Sequence, residues 1–383
     1  MEEIIGTLGT SNSLVELAGG ALLSNDGRTS SDGGRTWSKP KSFGPDVKGT
    51  GIFRLDSRAL ALVAPAGYAQ GNMWLSRDEG ETWVDAGHIT TPGGPVFELG
   101  DTMIQLGEGR LLYCWDYDMS GNHPDIEPSA KSEGTWKGKL YATETHQHRP
   151  EFFAAGFSWS DDEGATWEYA KFGNMPNVLM GWFDFKGQPN GMAGINPVGE
   201  SSIAELSDGR VLLFGRSVVG RLVYSHSTDR GESWSALRPN ALASSGSPPR
   251  LRRIPGTDDL LCIWNQVSGE EIRRGYRRGR LSAAISKDRG ATWENFKTIE
   301  VSEGLADVAR IEPEPEIQMV RARKDVGTLP DGYTFYHYAN VCFASQNVYI
   351  MYSRGYPTMG VAEKLLSKQE RVLRIYPLSW FYS

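Results

Sequence analysis

Short apolar runs separated by polar turns recur along the whole chain. Between Glu200 and Trp234, two runs, Ser201–Leu206 and Val211–Phe214, flank Ser207-Asp208-Gly209-Arg210, and a third, Arg221–Ser227, follows. Runs of this length, rich in apolar residues and joined by a turn with glycine, predict antiparallel strands in hairpins. The third run ends in Ser227-x-Asp229-x-Gly231-x-x-Trp234. There the Asp side chain is expected to accept hydrogen bonds from backbone N–H groups two or three residues on. The glycine supplies a positive φ, and the tryptophan covers the turn with apolar area.

The same box occurs at Ser30-x-Asp32-x-Gly34-x-x-Trp37, at Ser76-x-Asp78-x-Gly80-x-x-Trp83, at Ser160-x-Asp162-x-Gly164-x-x-Trp167 and at Ser286-x-Asp288-x-Gly290-x-x-Trp293. Five intact copies define an internal repeat, so the chain is read as one stacked architecture despite its 383 residues. From the hairpin turn Asp208 to the box Asp229 is 21 residues, and Ser57 to Asp78 is 21 again. Asp259 to Asp288 is 29, and Gly19 to Asp32 only 13, so the first unit is truncated. Glu108 to Asp162 is 54, an insertion of about 33 residues beyond the ruler.

One unit without a box follows Trp293, with Tyr333–Phe343 and Asn347–Ser353 as its inner strands. Either Arg371–Phe381 or the N-terminal Glu3–Leu8 can close the ring. The expected fold is all-β: one six-bladed β-propeller of four-stranded antiparallel blades over residues 1–383, with an insertion at about 116–153 in blade 3. Each blade runs strand a, turn, strand b, loop, strand c, box, strand d. Strand ends alternate between two faces, which puts the a–b turns and the boxes on the bottom. The starts of strand a, the b–c loops and the d–a links lie on top, as does the insertion.

Top-face positions are where chemistry can gather. Glu200 precedes strand a of blade 4, Arg216 ends strand b of that blade, Arg280 opens strand c of blade 5, and Tyr338 opens strand a of blade 6. Two arginines with a glutamate and a tyrosine suit an acidic sugar, because guanidinium binds carboxylate through a planar fork. Each residue also has a structural reading: a solvated strand-end charge, a loop-binding carboxylate, a core aromatic. Their coincidence of type and face favours a site.

Composition narrows the function classes. A net charge of −7 and a pI near 5.5 argue against a nucleic-acid binder. No apolar run is long enough to span a membrane. The start, MEEIIGTLGT, shows no signal peptide, so the chain as written is expected in the cytoplasm; a secreted chain that had lost its leader would read the same. Cys114, Cys262 and Cys342 each lie in an apolar run and read as buried thiols. No cofactor or metal is called for, and the expected partner is a carbohydrate. The stretch ETHQHRPEFF, which holds His148 and Arg149, is rich in histidine. It suits a polar pocket wall or an acid/base histidine better than a metal site.

The repeat is the Asp box, and the chain resembles the sialidase-like BNR/Asp-box β-propellers of the neuraminidase superfamily. That resemblance implies an exo-acting glycoside hydrolase on a terminal acidic sugar, sialic acid or a related one. Tyr338 would be the nucleophile, Glu200 its base partner, and Arg216 and Arg280 the carboxylate clamp. Sialidases open blade 1 with a Phe-Arg-Ile-Pro-like motif that supplies a first clamp arginine. This chain has Gly9-Thr10-Ser11-Asn12-Ser13 there, and Ile52-Phe53-Arg54-Leu55 only in blade 2. Arg54 is thus the candidate replacement. Asp26 is the candidate acid/base on the short blade-1 loop, with Asp116 the alternative. The missing motif implies low activity on standard sialic acid glycosides and preference for another acidic sugar. A polysaccharide lyase on uronates and a non-catalytic carbohydrate-binding propeller remain open beside the hydrolase.

Overall fold

Six units of antiparallel strands are arranged around one axis in the computed structural model. It describes residues 2–5, 8, 11–64, 71–90, 96–97, 102–118, 133–136, 139–142, 153–169, 180–183, 194–197, 199–217, 219–244, 246–274, 276–314, 329–357 and 366–383. Blades 2, 4 and 5 are complete four-stranded sheets. Blade 4, for example, orders Gly199–Glu205, Val211–Arg216, Arg221–Ser227 and Arg238–Ala243 from the axis outward. Blade 3 carries Met103–Gln105, Leu111–Asp118, Phe153–Ser160 and Glu168–Tyr169. Blade 1 has three short strands, Leu14–Glu16, Leu22–Ser24 and Thr29–Ser30, in keeping with its short ruler.

The two ends of the chain share blade 6. Phe335–Ala344, Asn347–Pro357 and Leu366–Pro377 are its strands a to c, and Glu2–Ile5 pairs with Val372–Ile375 as strand d. The closing strand is therefore the N-terminal one. The stretch expected at Arg371–Phe381 is instead split between strand c and a 3-10 turn, Leu378–Tyr382. In blade 5 the additional residues of the b–c loop form a short helix, Gly269–Arg273, started by a Ser268/Glu271 capping box. Most of the blade-3 insertion lies outside the described residues.

Both faces of each blade are buried by its neighbours, so its inner strands are apolar throughout rather than alternating. Leu260–Trp264 shows the consequence. Leu261 and Ile263 pack toward blade 6, while Leu260, Cys262 and Trp264 pack toward blade 4. Six such apolar layers lie between successive blades and run right round the ring. All three cysteines are free, with Cys342 half-buried rather than buried.

The boxes fold alike. In all five the glycine N–H donates to the Ser Oγ at 2.8 Å, and in the first four the tryptophan Nε1 donates to the glycine carbonyl, at 3.0 Å for Trp234. The Asp takes a backbone bond from four residues on, as in Ser233 N–H to Asp229 at 2.8 Å, one residue further than expected; Asp32 also takes the expected bond from three residues on, Arg35 N–H at 3.0 Å. Its other oxygen accepts from the hydroxyl at that same position, which is Thr36, Thr82, Thr166, Ser233 or Thr292. The tryptophans do more than cover the turns. Trp234 stacks on Phe157 of blade 3 with centroids 4.2 Å apart, so each box also joins blades.

Candidate active site

Two β-bulges shape the top of the axis. Strands a and b of blade 4 pair Gly199 with Arg216 and then Ser202 with Phe214, so the register slips across Glu200. In blade 6 the pairing jumps from His337–Ser353 to Asn340–Met351, across Tyr338. A bulge leaves its extra residue unpaired and re-aims the side chain. Glu200 and Tyr338 accordingly have left-handed backbone, φ 48° and 51°, and so has Arg278, φ 53°, just before strand c of blade 5. Such conformations cost about 1–3 kcal/mol each for residues other than glycine and persist where the surroundings over-determine them.

The three side chains meet. Arg216 Nη1 donates to Glu200 Oε2, and the Tyr338 hydroxyl stands beside the same carboxylate and favours its ionised form. The Arg278 guanidinium lies 4.9 Å from the centre of the Tyr338 ring. Its Nη1 is 2.8 Å from His337 Nδ1, and because arginine stays protonated, His337 accepts there. Arg278 and His337 are buried, whereas Tyr338 keeps 39% of its surface exposed. A tyrosine open to solvent at the centre of a packed ring is available to a ligand.

Electrostatics fix the protonation states. Burial works to raise the Glu200 carboxyl, but the charges of Arg216 and Arg278 and the bonds from Arg216 and Tyr338 outweigh it. The group is held below its ordinary value. Tyr338 is pushed up, first by the neighbouring Glu200 charge and then by burial, against the two arginines. At neutral pH the pair is an ionised carboxylate beside a protonated phenol.

Other expected site residues lie elsewhere. Arg280 is 1% exposed and spans Glu271 of the short helix with Nη1 at 3.2 Å and Nη2 at 3.1 Å. It secures the b–c loop of blade 5 rather than forming a clamp with Arg216. Arg54 ends strand a of blade 2 at the bottom face. It binds Glu79 of the second box through both oxygens at 2.8 Å and the Glu16 carbonyl at 3.0 Å, which joins blades 1 and 2. Strand direction alone excludes it from the top.

Asp26 does lie on the top b–c loop of blade 1, bonded to Ser24 Oγ at 2.7 Å and Arg28 Nε at 3.0 Å. Burial raises its carboxyl, yet the bonds from Ser24 and Arg28, with the nearby Ser11 hydroxyl, bring it below the ordinary value. A carboxylate held ionised in this way is a poor proton donor at neutral pH. Asp116 lies in strand b of blade 3, with its side chain outside the described residues, as are His148 and Arg149 entirely.

Arg278 and His337 were not singled out by sequence reasoning. Residues 275–280 read Gly-Tyr-Arg-Arg-Gly-Arg, and strand phase cannot tell which arginine faces the axis. Packing decides. A Cβ at Gly279 would lie 2.3 Å from the Tyr333 hydroxyl, and Tyr336 N–H donates to the Arg278 carbonyl at 2.9 Å. The doublet in Tyr336-His337-Tyr338, next to a predicted strand start, was the available signal for His337.

The fold is that of the sialidase-like six-bladed propellers. The chain belongs to the BNR repeat-like domain family, whose profile matches residues 59–364. An α-L-arabinofuranosidase from Fusarium graminearum, solved with an iminosugar inhibitor, superposes with a TM-score of 0.52 at 13% identity, covering 100% of this chain and 98% of that one. A leech intramolecular trans-sialidase gives 0.52 at 13% identity, with 97% of this chain and 68% of that one covered. The NanB sialidase of Streptococcus pneumoniae gives 0.51 at 12%, with 97% and 68% covered. No curated protein matches the sequence. Identities this low establish shared architecture, a glycosidase-like fold, and leave the chemistry to the site. Among the described residues no helix is long and apolar enough to cross a membrane.

Proposed function

We propose that this chain is a retaining glycoside hydrolase of sialidase-like type, acting on a terminal acidic sugar. One observation carries the reading: Glu200 and Tyr338, side by side in left-handed backbone at the axis, are flanked by the guanidinium groups of Arg216 and Arg278. In the first step the Tyr338 oxygen bonds to the anomeric carbon as Glu200 takes the phenolic proton. The bond to the leaving oxygen breaks with its electron pair. The departing oxygen leaves as an anion that takes a proton from solvent. In the second step water attacks the same carbon and gives up a proton to solvent, the bond to the Tyr338 oxygen breaks, and the released phenolate regains its proton from Glu200. A nucleophile that starts neutral avoids the repulsion a carboxylate would meet beside an acidic sugar. The two arginines supply the opposite charge for that sugar and for the Glu200 base.

Aryl glycosides test this step directly, because their leaving groups depart without protonation. Aryl glycosides of sialic acid, glucuronic acid and α-L-arabinofuranose are incubated with wild type and Tyr338→Phe, and the anomeric product is read by NMR. Cleavage of an acidic glycoside with retention, lost in Tyr338→Phe, is expected, with sialic acid the weaker of the two acidic substrates. Preference for the arabinofuranoside would remove the acidic sugar from the proposal. Full activity of Tyr338→Phe would remove the nucleophile. An unsaturated product absorbing in the ultraviolet from a polyuronate would make the protein a lyase.

A further inference from the structure

A cavity of about 500 Å³ lies where blades 6, 1 and 2 meet at the top face. Asn12, Asn25 and Asp26 of blade 1, Phe43 and Lys48 of the link to blade 2, and Arg371 of blade 6 line it. None of these residues belongs to the Glu200–Tyr338 pair, yet the two places adjoin. Asn340, two positions beyond Tyr338, donates from Nδ2 to the Asn12 carbonyl at 2.6 Å. A cavity of this size with a few convergent polar groups is within the range of small-ligand sites.

Arg371 is the unusual member. Along strand c of blade 6, positions 371, 373 and 375 share one face. Leu373 and Ile375 pack on Leu14 and Leu22 of blade 1, and Arg371 continues their row upward into the cavity. Many of the enclosed arginines meet carboxylates, Arg54 with Glu79, Arg110 with Asp161, Arg280 with Glu271, Arg354 with Glu370 and Arg374 with Glu300, and others meet backbone carbonyls or a histidine, as Arg221 does with Glu314 and Arg278 with His337. Half-buried Arg371 has no hydrogen-bond or ion-pair partner among the described residues. Enclosing such a cation without a counter-charge is unfavourable. Burial alone acts on its ionisation, and acts to lower it.

The rest of the lining selects the kind of ligand. Asp26 is already matched by Arg28 at 3.0 Å, so the unmatched charges at the cavity are those of Arg371 and exposed Lys48. This positive spot belongs to a chain of net charge −7. Among the described residues the Asn12 side-chain amide has no partner, which leaves it free for hydroxyl groups. Phe43, seated against Trp83 with centroids 5.0 Å apart, offers a flat apolar wall for a sugar ring.

We propose that this cavity is a second saccharide subsite that takes an anionic sugar unit, with Arg371 binding its carboxylate or sulfate group. It builds on the hydrolase reading in placing that unit beside the sugar attacked by Tyr338, but the binding itself requires no turnover.

Titration calorimetry on the inactive Tyr338→Phe protein tests it, with glucuronate and galactose 6-sulfate as probes and glucose and galactose as neutral controls. The anionic sugars are expected to bind at least about tenfold more tightly than the neutral ones, as one charge-assisted contact would give. Adding Arg371→Met is expected to abolish that difference, and Arg371→Lys to restore part of it. Preference for glucuronate identifies a planar carboxylate matched to the guanidinium fork, and preference for the sulfate ester a tetrahedral oxyanion. Equal affinity with and without Arg371 overturns the proposal. So does affinity that falls with Arg278→Met and not with Arg371→Met, because it then belongs to the Tyr338 site. Arg371→Lys keeps the charge and serves as the folding control, with the melting temperature measured for each protein. Loss of the anionic preference with aryl-glycoside cleavage intact confirms the subsite independently of the hydrolase. Calorimetric binding through Arg371 in a protein that cleaves nothing keeps the subsite and removes the hydrolase.

Discussion

On the bottom face the fourth position of each box is left-handed: Gly33 in the first, then Glu79, Glu163, Arg230 and Arg289. On the top face Glu200, Arg278 and Tyr338 are left-handed as well. The two sets differ in what holds them. In a box, the bonds that fix the backbone come from the same eight residues: Ser to Gly, Asp to the position four on, Trp to Gly. At the top they come from three blades, with Arg216 reaching Glu200 and Arg278 lying over Tyr338. Strain compensated locally is a construction part and can be repeated. Strain compensated from a distance aims a side chain at a fixed point, and it occurs where the axis opens to solvent.

Tyr338→Phe is the sharpest way to separate the faces. It keeps the ring that packs under Arg278, so the melting temperature should hold, while kcat on the cleaved aryl glycoside should fall on the order of 10⁴-fold. Equal turnover would place the chemistry elsewhere on the top face. Arg280→Ala should do the reverse. It leaves Glu271 enclosed without its cation, and a loss of about 3–5 kcal/mol is expected in denaturant unfolding. Turnover per folded molecule should survive; if it falls as far as in Tyr338→Phe, Arg280 is part of the clamp after all.

Asp229→Ala probes the bottom face. It strips a box of the acceptor for Ser233 and should cost about 1–3 kcal/mol with activity per folded molecule retained. Loss of turnover at an unchanged melting temperature would show that a box takes part in the chemistry.

The smallest expected effect is on pH dependence. Glu200 is depressed in the folded protein, so its contribution to stability is present above pH 4.5 and is lost as pH falls through the lower folded value. The acid limb of kcat/KM should therefore lie below pH 4.5. Asp78, held at about 2 by bonds from Thr82 and Ser76, should lose its contribution between pH 3.8 and about 2. Tyr338 is raised from 10.0, so no alkaline limb is expected up to that pH. An acid limb near neutrality would mean that Glu200 is protonated when it should act as the base.

The repeat, the blade count and the face assignment were legible before any coordinates. An eight-residue box closes on its own bonds wherever it stands, and strand direction then fixes top and bottom. Glu200, Arg216 and Tyr338 could be placed on one face by that direction alone. Missing from the pattern was the hydroxyl at the seventh box position, plain in Thr36, Thr82, Thr166, Ser233 and Thr292 once the Asp bonds are known. Only tertiary structure decided between Arg278 and Arg280, because a left-handed residue before a strand shifts which side chain meets the axis. It alone paired Arg54 with Glu79 and set Arg371 opposite Asn12 and Asp26, more than 300 positions earlier in the chain. A local pattern records what a segment bonds to within itself. Which charge is left facing an open cavity depends on partners that meet only when the ring closes.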